Sequence, residues 1–169
     1  MKPIKKIAYL SIFVALAMIL SFIESQIPTF LPVPGIKLGL PNMAIIFLLY
    51  RFSWKEAAIV NLIRILLVSW LFGSVYSLLY SLAGGILSLL VMALLKQTNW
   101  LSTITVSVIG GVCHNIGQII TACFVTSTKE IVGYLPVLLI TGTVAGIVIG
   151  IISAQLIKKF DTIGLSKWL

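Results

Sequence analysis

The chain has 169 residues, 60% of them hydrophobic and only 9% charged, with a mean hydropathy of +1.17. Soluble domains carry charge on roughly a quarter of their residues, so this composition excludes an ordinary soluble fold and points to an integral membrane protein. The net charge of +8 invites a nucleic-acid reading, but the basic residues fall at the ends of apolar runs and not on one polar face, so no nucleic-acid partner is expected.

At ~20 residues per span the length holds about six spans with short loops. The expectation is an all-α membrane protein: one domain over residues 1–169, a single bundle of about six transmembrane helices. Helix one is expected from Lys6 to Ser25, with Ala8, Ser11, Ala15 and Ala17 as small side chains on a face that another helix can approach. More apolar sequence follows it where a cleavage site would need small residues, so it reads as a retained helix and not a removed signal. It ends at the polar cluster Glu24-Ser25-Gln26, which sits at the interface or turns inward.

The stretch from Pro32 to Asn42 breaks the apolar sequence with prolines, glycines and Lys37 together. Such backbone cannot face lipid with its polar groups unsatisfied, so it forms either the border of a binding site or simply the first outer turn. Helix two starts after Pro41 and ends near Tyr50. It is short for a span, which suggests a helix beginning within the membrane with its N-terminal amides aimed at a site. Arg51 to Lys55 make a turn. Helix three follows from Glu56 to Leu71 and places Asn61 and Arg64 on one face in apolar surroundings. A central arginine costs ~3 kcal/mol on the lenient insertion scales, so Arg64 must pair, face water or snorkel.

After Phe72-Gly73-Ser74, helix four runs from Val75 to Leu95. Tyr76 and Tyr80 are placed to stack on a ring or to belong to an interfacial belt, and Gly84-Gly85 permit close packing or a bend. Helix five, Thr103 to Val125, puts Gly111, His114, Asn115 and Gln118 on one stripe, since steps of three and four return to the same face. Its Cys113 and Cys123 lie about 15 Å apart by helical rise and cannot bridge. Helix six, Val132 to Lys158, carries Pro136 near its start and then Gly142, Gly146 and Gly150, a groove for another helix of this chain or of a partner.

If both termini are cytoplasmic, Lys2, Lys5, Lys6, Arg51, Lys55, Lys96, Lys158, Lys159 and Lys167 fall inside, and only Lys37 and Lys129 fall outside. A multi-pass protein of the plasma membrane with cytoplasmic termini is therefore expected. The four acids, Glu24, Glu56, Glu130 and Asp161, are widely separated. They form no carboxylate cluster for magnesium on a diphosphate, and there is no nucleotide loop, no His/Cys pair at metal spacing and no triad. No catalytic residue, metal or cofactor is expected, and the chain reads as a non-enzyme.

The motifs Pro34-Gly35-Ile36-Lys37-Leu38-Gly39-Leu40-Pro41-Asn42, Arg64-Ile65-Leu66-Leu67, Tyr80-Ser81-Leu82-Ala83-Gly84-Gly85, His114-Asn115-Ile116-Gly117-Gln118 and Tyr134-Leu135-Pro136 resemble, in order and spacing, the Gx transporter family. That family is also labelled heptaprenyl diphosphate synthase component I. Pro41 departs from its pattern, in which a small residue is expected. The family in turn resembles the substrate-binding S components of energy-coupling factor (ECF) transporters. That resemblance implies a substrate held near the outer face beneath the first loop, and docking onto a transmembrane coupling subunit with two ATPases through an Ala-x-x-x-Ala face on helix one. The nearest equivalent here is Ser11-x-x-x-Ala15.

The expected substrate-binding residues are Lys37, Asn42, Asn61, Arg64, Tyr80, His114, Asn115 and Gln118, with Arg64 or Lys37 balancing an anionic group; Ser11 and Ala15 are the expected docking residues. The leading expectation is a capture component for uptake of a small molecule, driven by a separate ATP-hydrolysing module. The alternative is an accessory membrane subunit associated with prenyl diphosphate or quinone synthesis or extracellular electron transfer. A carrier working alone would need an intramembrane carboxylate, for which only Glu24 is available.

Overall fold

The computed structural model describes residues 3–27 and 39–163. The described residues form α1 (Pro3–Gln26), α2 (Asn42–Arg51), α3 (Trp54–Phe72), α4 (Val75–Gln97), α5 (Thr103–Thr126), a 3-10 turn (Lys129–Tyr134) and α6 (Leu135–Thr162), with no strand among them. Serines fix several helix starts. Ser53, Ser74 and Ser102 accept backbone N–H bonds from Lys55, Ser77 and Thr105, and Ser53 also donates to Glu56 three residues on, a pairing akin to a capping box. Pro136 lies in the first turn of α6, where a missing N–H costs nothing.

The bundle buries an unusual share of polar side chains beside its apolar core and turns large apolar side chains outward. Trp70 and Phe124 are each 82% exposed, and exposed isoleucines run along α1 at Ile4, Ile7, Ile12 and Ile19, whereas Asn61, Arg64, Ser88, Ser107 and Ser153 are buried. In water that arrangement would be unstable; against hydrocarbon it is the expected one, since lipid solvates the apolar rim and buried polar groups find partners inside. Four segments, α1, α4, α5 and the 3-10 turn with α6, are long and apolar enough to cross a membrane. The protein is an all-α, multi-pass membrane protein.

Six helices form, but not six full spans. The ten residues of α2 reach roughly 15 Å, about half the ~30 Å hydrocarbon thickness. Its Ala44 through Leu49 are all buried, so α2 is a core post with no lipid-facing side, surrounded by α1, α3 and α6. Its first amides are not aimed at a site as the sequence suggested: those of Asn42, Met43 and Ala44 bond the carbonyls of Gly39, Leu40 and Pro41.

The small residues of α1 divide. Ala8, Ser11 and Ala15 are exposed, while Ala17 is completely buried; at ~100° per residue it lies on the opposite side from Ala8 and does not belong to that face. The glycines of α6 face α5 of the same chain. A Cβ at Gly142 would stand 2.6 Å from the Asn115 amide nitrogen, and Gly146 and Gly150 lie against Val108 and Ile104. The groove thus receives a helix of this chain.

One end of the bundle gathers the basic residues. Lys6 pairs with Glu56 and Arg51 with Asp161, and the Lys96 ammonium donates to the Leu49 carbonyl at 2.5 Å while lying over the Tyr50 ring. Glu24, Gly39 and Gly73 occupy the other end. Cys113 and Cys123 are both free thiols.

Candidate functional site

A polar cavity opens among all six helices, offering about 120 Å³ to the centres of water-sized spheres. Each helix contributes one stripe to it at steps of three and four. From α1 come Ser21, Glu24 and Ser25; from α4, Ser77, Ser81 and Ser88; from α5, Ser107, Gly110, Gly111, His114, Asn115 and Gln118; from α6, Gly142, Ala145, Gly146 and Ile149. Asn42 and Ile46 border it beside Arg64, Ile65 and Ser69 of α3.

Arg64 is buried, with 8% of its surface exposed. Its Nη2 donates to the Asn61 amide oxygen at 2.7 Å, and the Asn61 amide nitrogen donates to the Gly85 carbonyl at 3.3 Å. Asn61 therefore holds the arginine from behind and is not itself part of the cavity lining. Glu24 lines the same cavity. The Glu24 carboxylate also accepts the backbone N–H groups of Gly39 and Leu40, tying the end of α1 to the turn that leads into α2. Of the two placements open to the Glu24 cluster, the carboxylate takes the inward one.

On α5, the Asn115 amide donates to the Leu138 carbonyl of α6 at 2.5 Å, which fixes its orientation. His114 lies against Gly84 of α4, where a Cβ would come within 2.7 Å of the His114 carbonyl oxygen and 3.0 Å of its Cε1. Only glycine lets α4 and α5 meet closely enough for the His114 and Gln118 side chains to occupy the same cavity. Among the described residues, Arg64 Nε, a donor, and Gln118 Oε1, an acceptor, are buried with no hydrogen-bond partner. Leaving such groups unsatisfied costs about 1–3 kcal/mol each.

Of the residues singled out from the sequence, Asn42, Arg64, His114, Asn115 and Gln118 all line the cavity. Tyr80 does not. Together with Tyr76, which is 60% exposed, it sits one residue before the cavity-facing Ser81 and Ser77, about 100° around the helix. Lys37 lies outside the described residues. Sequence reasoning passed over the serines, although Ser77, Ser81, Gly84 and Ser88 have the spacing of one helical stripe. Among the described residues no group of three or more His, Cys, Asp or Glu side chains is placed to hold a metal ion.

These features define a class: a multi-pass helical membrane protein built around an internal cavity lined by polar and small side chains from all six helices. The chain belongs to the family described as heptaprenyl diphosphate synthase component I, whose family model matches residues 13–156. Searches of curated proteins and of solved structures returned no match.

Proposed function

We propose that the protein is a substrate-capture component of the membrane, S-component-like, which takes up a small molecule and hands it to a separate ATP-driven coupling module. The observation that carries this reading is the convergence of Arg64, Glu24, His114, Asn115 and Gln118 on one serine-lined cavity in a protein whose outer surface is apolar. Buried ionisable groups in membrane helices are costly and mark substrate or ion pathways and ligand counter-ions. The protein is not an enzyme in this reading: Arg64, Asn115 and Gln118 bind and orient. The exposed Ser11 and Ala15 offer a close-approach face on α1 for the coupling subunit and its ATPases. The basic end of the bundle faces the cytoplasm of a plasma membrane, with both termini on that side.

Uptake measured in cells carrying correctly inserted Arg64→Ala or His114→Ala tests this directly. The expected result is loss of uptake in both variants; unaltered uptake would overturn the proposal.

The second reading is an accessory membrane subunit of a prenyl diphosphate synthase, favoured by the family's own description. Gentle purification distinguishes the two: a coupling subunit with ATPases supports capture, whereas a prenyl synthase without them supports the accessory role.

A further inference from the structure

We propose that a second, apolar groove between α3 and α4 is a lipid site: it seats one acyl chain of an anionic phospholipid from the leaflet at the basic end of the bundle. The α3 wall steps from Trp54 through Ala58 and Leu62 to Ile65, and the α4 wall runs antiparallel to it from Ala93 through Ile86 to Leu82. Apart from the Trp54 indole, Asn61 is the one polar side chain among the described residues of the lining, and its amide is engaged with Arg64 and the Gly85 carbonyl. The body of the occupant is therefore hydrocarbon.

Shape selects a single chain. Trp54 to Ile65 on α3 and Leu82 to Ala93 on α4 each cover about 16 Å of helix axis at ~1.5 Å per residue, close to the ~15 Å of hydrocarbon in one leaflet. Along that length the groove offers about 210 Å³ to the centres of water-sized spheres. A helix, about 10–12 Å across with its side chains, is too thick to enter so slender a space. Ile65 and Leu89 are buried at the floor, while Leu62, Ile86 and Leu90 stand half exposed at the rim. A chain seated there meets side chains beneath it and on both flanks, and so gains dispersion contacts that a lipid against a convex face of the bundle lacks.

Depth and charge select the headgroup. Trp54 opens α3 at the basic end, half exposed, as befits an indole at headgroup level. The Lys55 ammonium lies over its ring, 5.9 Å from the centroid. Lys6 and Arg51 are paired with carboxylates, and Lys96 donates to the Leu49 carbonyl. Lys55 is exposed and has no carboxylate partner among the described residues. A free cation at the mouth of a hydrocarbon slot matches the phosphate of an anionic lipid whose tail fills that slot. The seated chain lies against Asn61, which holds Arg64, and against Ile65, the wall that the groove shares with the polar cavity.

To test this, delipidated protein in mild detergent is titrated with phosphatidylglycerol or with phosphatidylcholine of the same acyl chains, and native mass spectrometry counts the lipid retained. One phosphatidylglycerol per chain is expected, held about fivefold tighter than phosphatidylcholine, the contribution of one lysine beside an anionic leaflet. Lys55→Gln should erase that preference. Lys159→Gln removes the same charge from α6, which does not line the groove, and should keep it. Ala58→Phe fills the slot and should lose both lipids. A second readout needs no variant: in vesicles of phosphatidylglycerol carrying a diazirine on the acyl chain, photo-adducts on wild type should collect on Leu62, Ile86 and Leu90 rather than on the more exposed Ile140 and Val144 of α6. Equal retention of the two lipids by wild type, full retention by folded Ala58→Phe, tighter binding of a polyprenyl phosphate, or adducts spread in proportion to exposure would each overturn the proposal. Should Ala58→Phe fail to fold, the adduct pattern decides.

Discussion

Arg64 donates to Asn61 one turn earlier on the same helix, at 2.7 Å, and Asn61 donates onward to the Gly85 carbonyl of the next helix. The arginine's position is thus set from α4 through an intermediary that does not line the cavity. Asn61→Leu removes both bonds at once. Bonds to charged groups contribute about 1.5–3 kcal/mol, so a loss of about 2 kcal/mol is expected in reversible unfolding in bicelles, with ligand retention falling in parallel.

Gly84 is where α4 and α5 come close beside His114. Gly84→Ala drives a methyl group to within 2.7 Å of a backbone oxygen, so overpacking of about 1–3 kcal/mol and a shifted cavity are expected. Gly133→Ala is the matched control, because nothing lies within 4 Å of its added methyl. Comparable losses in the two variants would show that the close approach is not what matters.

Lys96 donates to the Leu49 carbonyl near the C-terminus of α2 and lies over Tyr50. Lys96→Met keeps the apolar stem but removes the cation that satisfies this buried end, and should cost about 1–2 kcal/mol. Asp161→Asn breaks the pair with Arg51 at a half-exposed site and should cost no more than about 1 kcal/mol. The order of these two effects in denaturant titrations is the check.

Neighbouring positions on α4 should differ sharply in thiol chemistry. With Cys113 and Cys123 replaced, Ser77→Cys lines the cavity and is expected to react with a water-soluble maleimide and to be protected by ligand. Tyr76→Cys lies outside the cavity and should react at a rate that ligand does not change. Equal reactivity would place water on both sides of α4.

The helices were legible because polar and Gly/Pro punctuation separates long apolar runs, and the α5 stripe was legible because His114, Asn115 and Gln118 are conspicuous in such a run. Three features were not. A tyrosine draws notice while the adjacent serine does not, so Tyr80 was favoured where Ser81 faces the cavity. Serine in an apolar helix is ambiguous in itself, since its hydroxyl can bond its own helix, as Ser21 does to the Ala17 carbonyl at 2.8 Å. And the meeting of Glu24 and Arg64 in one cavity depends on how α1 packs against α3, a long-range relation that no local pattern encodes.

The half-length helix α2 has one further consequence. A carboxylate holds the turn that enters it and an ammonium holds its far end, each sign matching the pole of the helix dipole it meets. Encased on every side by close-packed side chains, α2 behaves as a short rigid strut. It cannot slide along its axis without releasing Glu24 from the turn at one end or Lys96 from the Leu49 carbonyl at the other.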